Sequence, residues 1–515
     1  MLIRFHKIFS RSFLFILCGL LLFSAFLPSL TAEEKEDKKE KKEKKKEKRG
    51  KKGKKEKKGK NEEDKKEKKE KKSGSDSKKH DHRLLRIPSD TTEIEENAYK
   101  GNLSIRRIFF HNKVTTIGAN AFSGCKMLEE LHVPDSVESI GKNAFENCSK
   151  LFVVKLSSGI TEIPEGAFKG CTTLARIELP ESVETIGKGA FEGCTSLKTV
   201  VLPAKLNGIG EEAFKGCTSL ERVQIPDSVT SIGGKAFIGC TSLIHVNIPA
   251  SVTEWGDNPF AMCLRVNVAI APNHPSFVQQ KGVVYSSDKT TILHCSPQLR
   301  SGTFIPPQEI TTIGKGAFSG CFALRSIILP PTLEKVEDGA FSSCPNLTNI
   351  QFKNPEITLG KGAFAKCNAL RSVTLPGKCG ELPEGIFAGC GRLGQIKFPA
   401  SLEKIGAKAF SGCKSLDNII LPESVTEMDA GAFEKCTSLQ NIQLSKGLTA
   451  IKKDTFSGCV SLRSLSLPES VESVEAGAFA KCDKLTRIVV GNPNIEKDDE
   501  VFPKKAKLIK PRKKK

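Results

Sequence analysis

Fifteen of the eighteen cysteines stand in one register. Cys125, Cys148, Cys171, Cys194, Cys217, Cys240 and Cys263 form one run, and Cys321, Cys344, Cys367, Cys390, Cys413, Cys436, Cys459 and Cys482 a second, with steps of 23 residues in each. Thiols so regularly placed suggest either a disulfide framework or a metal site. The spacing argues against disulfides. In a stack of coils, neighbouring cysteines point the same way with Cβ atoms about 4.8 Å apart, beyond the usual bridging range of about 3.5–4.5 Å. A metal column needs Cys-x2-Cys pairs or histidine partners, and the repeats have neither. The eight histidines form no constellation, and His80-Asp81-His82 sits in a solvated, charged segment. No Gly-x-Ser-x-Gly elbow, His-Glu-x-x-His pair or phosphate-binding loop occurs. The column therefore reads as reduced thiols packed like small hydrophobes. The expectation is a protein that is not an enzyme and has no cofactor and no metal. In the mature chain only Cys295 and Cys379 fall outside the column, and Cys379, after Gly377-Lys378, is a candidate exposed and reactive thiol.

The element that positions these thiols is a short coil. Three residues before each column cysteine stands a phenylalanine, from Phe122 to Phe260 and from Phe318 to Phe479, and Tyr99 and Phe502 extend the register outward. One unit reads Cys171, Leu174, Ile177, Leu179, Pro180, Ser182, Val183, Ile186, Gly187, Ala190, Phe191, Cys194. Leu174 to Leu179 ends in the alternation of a strand with one buried face. Pro180 stops that strand, because proline donates no ladder hydrogen bond. Val183 and Ile186 begin a second extended side, and Ala190-Phe191 reads as a helical or 3₁₀ turn plugging the coil. Coils of this length bury their apolar groups only by stacking, so the chain is a solenoid.

The unit Cys-x2-Leu-x2-Ile-x-Leu-Pro-x-Ser-Val-x2-Ile-Gly-x2-Ala-Phe-x2-Cys closely resembles the leucine-rich repeat of the BspA-like type, over roughly Asp90 to Phe502. The resemblance implies an α/β-type solenoid, a right-handed superhelix with a parallel sheet on its concave face. It also implies a secreted or surface protein that mediates adhesion by binding host matrix proteins, glycans or neighbouring cells.

The outward positions of the strand column are the extended surface that the repeat leaves free to vary. In the first half they are charged and mixed, as in His132, Lys155, Glu178 and Arg176. In the second half one row reads Ser326, Asn349, Ser372, Gln395, Asn418, Asn441 and Ser464; the next includes Gln351, Thr374, Lys397 and Gln443. These amides and hydroxyls, with Lys397 as their only close charge, form a ladder suited to an extended protein segment or a glycan. The chain has one Trp and two Tyr, so weak contacts summed along the rod fit better than one tight aromatic-lined pocket.

The period breaks once. Between Phe260 and Phe318 the sequence reads as an irregular double coil, and Gly282 to Leu293 as a β-hairpin around a Ser-Asp turn. Trp255 and Tyr285 lie in or beside the break, so a loop standing off the rod and contributing to a binding site is one reading; a degenerate double coil is the other. The expected organisation is a signal peptide over 1–32, a Lys/Glu-rich disordered linker over 33–83, repeats over 84–263, the irregular segment over 264–316, repeats over 317–503, and a basic tail over 504–515.

Charge is concentrated at the ends. The linker carries 26 Lys/Arg and 15 Asp/Glu, the tail eight basic and no acidic residues, and the whole chain is +21. The repeats are thus near neutral, which argues against a nucleic-acid platform, while the tails suit polyanionic envelope polymers. Membrane attachment is expected only if the apolar N-terminal segment is uncleaved. A structural stalk or coat held by its tails is the alternative to adhesion.

Overall fold

The computed structural model describes residues 83–299, 302–497 and 501–509. The expected signal peptide, nearly all of the linker and the last residues of the tail lie outside the described residues.

A regular coil contributes two short strands, although the coil of Arg222 joins the first column only through isolated bridges. The first column begins with Leu84–Arg86, Arg107–Phe109, Glu130–His132 and Val153–Lys155, paired in parallel. It continues to Ser464–Leu467, Arg487–Val490 and Lys507–Ile509. The second column, two residues per coil, runs in parallel steps such as Glu162–Ile163 to Thr185–Ile186 to Gly208–Ile209. In most strands of the first column the inward residue is buried and its neighbours face outward, as in Arg176–Glu178.

No helix occurs among the described residues, so the α/β-type expectation is not met, and the plug at Ala190-Phe191 is a turn with i→i−3 bonds, nearer the 3₁₀ than the α-helical form expected. The backbone hydrogen bonds give the reason. Gly189, Phe191 and Gly193 send their N–H groups up to Glu211, Ala213 and Lys215 of the next coil, at 2.9, 2.8 and 2.7 Å. Ala190, Glu192 and Cys194 bond three residues back within their own coil. Alternate donors committed to a neighbour leave no ladder for a helix. This corner needs left-handed backbone at Gly189 (φ 58°) and Gly193 (φ 73°), which suits glycine. Gly187 has a different reason: a Cβ there would lie 2.6 Å from the backbone nitrogen of Glu165, so stacked coils approach too closely for any side chain.

The phenylalanines form a nearly parallel ring stack, for example Phe122 on Phe145 at 5.5 Å and Phe191 on Phe214 at 5.2 Å. Tyr99 and Phe502 extend it at either end as expected, at 5.2 and 5.9 Å from their neighbours. The turn serine is fixed equally locally: Ser182 Oγ donates to the carbonyl of Ile160 in the preceding coil at 2.6 Å.

The break contains an antiparallel element among its strands. Phe277–Gln280, Val283–Ser286 and Thr291–Cys295 form an antiparallel meander, and the last also pairs in parallel with Thr312–Ile313. The hairpin is therefore present, but it is folded into the rod. Val284 packs in the core of the first half, while Val283 and Tyr285 pack in that of the second, so one strand separates two hydrophobic cores. The corners on either side meet directly: the Asn258 side-chain amide donates to the Gly316 carbonyl at 2.6 Å and Met262 N to Ser319 O at 3.2 Å.

Candidate functional site

The thiol column is buried, and every described cysteine is free. Each thiol does something that packing alone does not anticipate. Cys194 Sγ donates to the carbonyl of Phe168 at 3.2 Å, and that carbonyl also accepts from Cys171 N at 3.1 Å. Both lone pairs of a buried carbonyl are thereby used, a reason for cysteine over alanine at this position. Burial pushes the Cys194 and Cys413 thiols up to about 12, far from the thiolate that nucleophilic chemistry requires. Cys379 is not the exposed, reactive group expected. It is 6% exposed, its Sγ donates to Glu381 O, and burial raises its pKa to about 11. Cys295 is buried too, and takes the place of a phenylalanine: its N–H bonds to Ala317 O at 2.8 Å as Phe318 N bonds to Ala340 O.

The aromatic residues at the break also pack inward, Trp255 half-buried. Tyr285 is buried, and Trp255 packs against Phe260 and Phe277 at 5.7 and 5.3 Å. The loop standing off the rod is corrected on these grounds: the segment closes the core. His294, 2% exposed, lies in the junction with its ring edge on Phe260, and desolvation pulls its pKa down to about 4. No group of three or more His, Cys, Asp or Glu among the described residues could hold a metal.

The surface left for recognition is the outward side of the first column. Ser326, Asn349, Ser372, Gln395, Asn418, Asn441, Ser464, Gln351, Thr374, Lys397 and Gln443 all fall on its strands. All are exposed except Ser326, which is half-buried. The pairing places Ser326 beside Asn349, Ser372 beside Gln395 and Asn418 beside Asn441. Side chains link accordingly: Asn441 Nδ2 donates to Asn418 Oδ1 at 2.8 Å, and Asn349 Nδ2 to Ser326 Oγ at 3.2 Å. Such a row presents donors and acceptors in alternation at strand spacing.

Two features qualify the ladder. Ile420, outward as its place in the row requires and 69% exposed, interrupts it with an apolar side chain. More important, arginines flank the ladder one position before its first row: Arg325, Arg371 and Arg463 are exposed. Lys397 is thus not the only close charge. The signal was the tripeptide Leu-Arg-Ser, which recurs at 324–326, 370–372 and 462–464. In the first half the same position holds Arg106, neutralised by Glu129 at 2.7 Å, and two arginines of the first row are paired as well, Arg107 with Glu130 at 3.0 Å and Arg176 with Glu178. Beside Arg325 opens a groove of about 510 Å³ lined also by Leu299, Gly302, Phe322, Ala323 and Asn346.

Parallel coils, a ring stack and a free strand face define a leucine-rich-repeat solenoid. The profile described as the BspA type leucine-rich repeat region, six copies to a match, fits residues 79–175, 161–281, 295–414 and 380–509. The chain belongs to the BspA-type leucine-rich-repeat family. Among solved structures it is similar to a leucine-rich-repeat protein from Eubacterium ventriosum, at 21% identity and TM-score 0.50, covering 78% of this chain and 91% of that one. A leucine-rich cell surface protein from Faecalibacterium prausnitzii matches at 24% identity and TM-score 0.43, over 79% of this chain and 87% of that one. A leucine-rich-repeat protein from Bacteroides ovatus matches at 25% identity and TM-score 0.34, over 83% and 92%. No curated protein matches the sequence. Among the described residues no helix is long and apolar enough to cross a membrane.

Proposed function

We propose that this is a secreted or cell-surface protein, without catalytic activity, that mediates adhesion by binding an extracellular macromolecule. The contact is made through the concave face of a right-handed solenoid, the outward side of the first strand column. The observation that carries this reading is the run of exposed amide and hydroxyl side chains from Ser326 to Ser464, in register across successive strands. The charged linker and tail act as spacer or as tether to a polyanionic surface.

A panel of immobilised matrix proteins, glycans and envelope polymers tests it with the full chain and its Asn418→Asp/Asn441→Asp variant, at low and high salt. Capture that survives salt and is lost in the variant, with unchanged thermal melting, supports the reading. Unaltered capture by the variant overturns it. Capture by both proteins that vanishes in salt favours the structural stalk or coat instead, consistent with the concentration of charge at the chain ends.

A further inference from the structure

The second half of the rod combines a neutral polar ladder with cations that nothing on the rod neutralises. Arg325, Arg371, Lys397, Arg463 and Arg487 all face outward, against one carboxylate, Asp417. The ion pairs of this half involve other residues, such as Lys335 with Glu337, Lys361 with Glu384 and Lys452 with Asp429. None of the five cations forms an ion pair among the described residues. The face therefore offers complementary charge to an anion, whereas Arg106, Arg107 and Arg176 of the first half are paired with glutamates.

The cations have a period. Arg325, Arg371 and Arg463 occupy the same position two and then four coils apart, at multiples of about 9.6 Å for strands about 4.8 Å apart, with Asp417 at the intermediate step. Between them, each coil presents amides or hydroxyls that both donate and accept. At the start of the row the groove adds an apolar wall: Phe322, 39% exposed, replaces the threonine that follows the cysteine in other coils, such as Thr172 and Thr195.

We propose that this face binds a linear acidic polysaccharide in which a uronic acid alternates with a neutral sugar. About one sugar lies over each coil, and one end packs against Phe322 with its carboxylate on Arg325. The proposal rests on the reading of this face as a binding surface and names the class of its ligand. An extended sugar polymer steps by nearly one coil per unit, so its carboxylates recur every second coil and meet Arg325, Arg371 and Arg463, with one step falling at Asp417. The planar guanidinium holds a carboxylate through two parallel hydrogen bonds, and sugar hydroxyls match the ladder between. An acidic peptide fits less well. Laid along the rod it advances about 3.3 Å per residue, out of step with the coils, and peptides held on a sheet use its edge or pockets for alternate side chains.

The test is binding of the full chain to a size-defined hyaluronan oligosaccharide, a neutral cello-oligosaccharide and poly-glutamate, measured by calorimetry. The expected result is hyaluronan binding that weakens about tenfold or more in the Arg325→Gln/Arg371→Gln/Arg463→Gln variant and several-fold in Phe322→Thr. Thermal melting stays unchanged, and the neutral glycan does not bind. Because linker and tail are identical in all variants, they cancel from the comparison. Equal hyaluronan affinity in the triple variant overturns the proposal. Poly-glutamate binding as tightly, and lost in the same variant, assigns the face to an acidic peptide. No hyaluronan binding, with Asn418→Asp/Asn441→Asp still abolishing capture of some panel member, refutes the sugar class and leaves the binding face standing; a face that captures nothing refutes both.

Discussion

Phe191→Ala removes a ring that touches only other core groups. Phe191 is fully buried, stacked between Phe168 at 5.6 Å and Phe214 at 5.2 Å, with interplanar angles of 7° and 9°. Deleting a buried phenylalanine costs roughly 3–5 kcal/mol in transfer and cavity terms. Each lost ring contact is worth about 0.5–1.5 kcal/mol beyond its area, and two are lost here, so the upper part of that range, near 4–5 kcal/mol, is expected. Phe502 has one ring neighbour, at 5.9 Å, and is half-buried, so Phe502→Ala is expected to cost about half as much. In a solenoid each coil contacts only its neighbours, so the loss is local and a single two-state transition is a poor measure of it. Native-state hydrogen exchange read peptide by peptide is the suitable assay. Protection should fall most in the coils carrying Phe168, Phe191 and Phe214 and recover within a few coils on either side. A loss below about 1.5 kcal/mol, or one spread evenly over the rod, would refute the view that the ring stack is the core.

Three further perturbations have defined outcomes. Gly187→Ala would place Cβ 2.6 Å from the backbone nitrogen of Glu165 and should cost at least about 2 kcal/mol, whereas Gly208→Ala meets only the movable Ser231 Oγ at 3.2 Å and should change stability by under about 1 kcal/mol; denaturant melts of the pair check the contrast. His294 is neutral when folded and its pKa is depressed to about 4 by burial, so stability is full above about pH 6.5 and falls as pH drops through 4, by up to roughly 3 kcal/mol. His294→Gln should abolish that pH-dependent part, and an unchanged pH profile would show the ring is not desolvated. The described cysteines, Cys379 included, should resist alkylation at pH 8 until denaturant is added, as read by peptide mass mapping; rapid native labelling of Cys379 would contradict its burial.

What the sequence disclosed follows from what repeats. The 23-residue step of Phe and Cys announces stacking because an error in one coil would be copied into its neighbours. The strand rows could be assigned to individual residues for the same reason: once Ile177 is inward, Arg176 and Glu178 must face out. Three things stayed hidden, each because it depends on where a group lands in space. The Ala190-Phe191 corner mimics a helical turn locally, but its donors are claimed by the next coil, which no local pattern shows. The meander looked like an appendage because the apolar run Val283-Val284-Tyr285 does not say which two surfaces its sides will meet, and here each side meets a different core. Cys379 sits beside a glycine and a lysine, the usual company of an exposed thiol, yet its side chain turns inward to Glu381 O. The arginines of Leu-Arg-Ser are the instructive case, since they were visible as letters. They gain meaning only when the strands stand in register and the glutamates that neutralise Arg106 and Arg107 prove to have no counterpart beside Arg325, Arg371 and Arg463. Repetition makes the scaffold legible; function lies in departures from it, and a departure has to be measured against its neighbours in space.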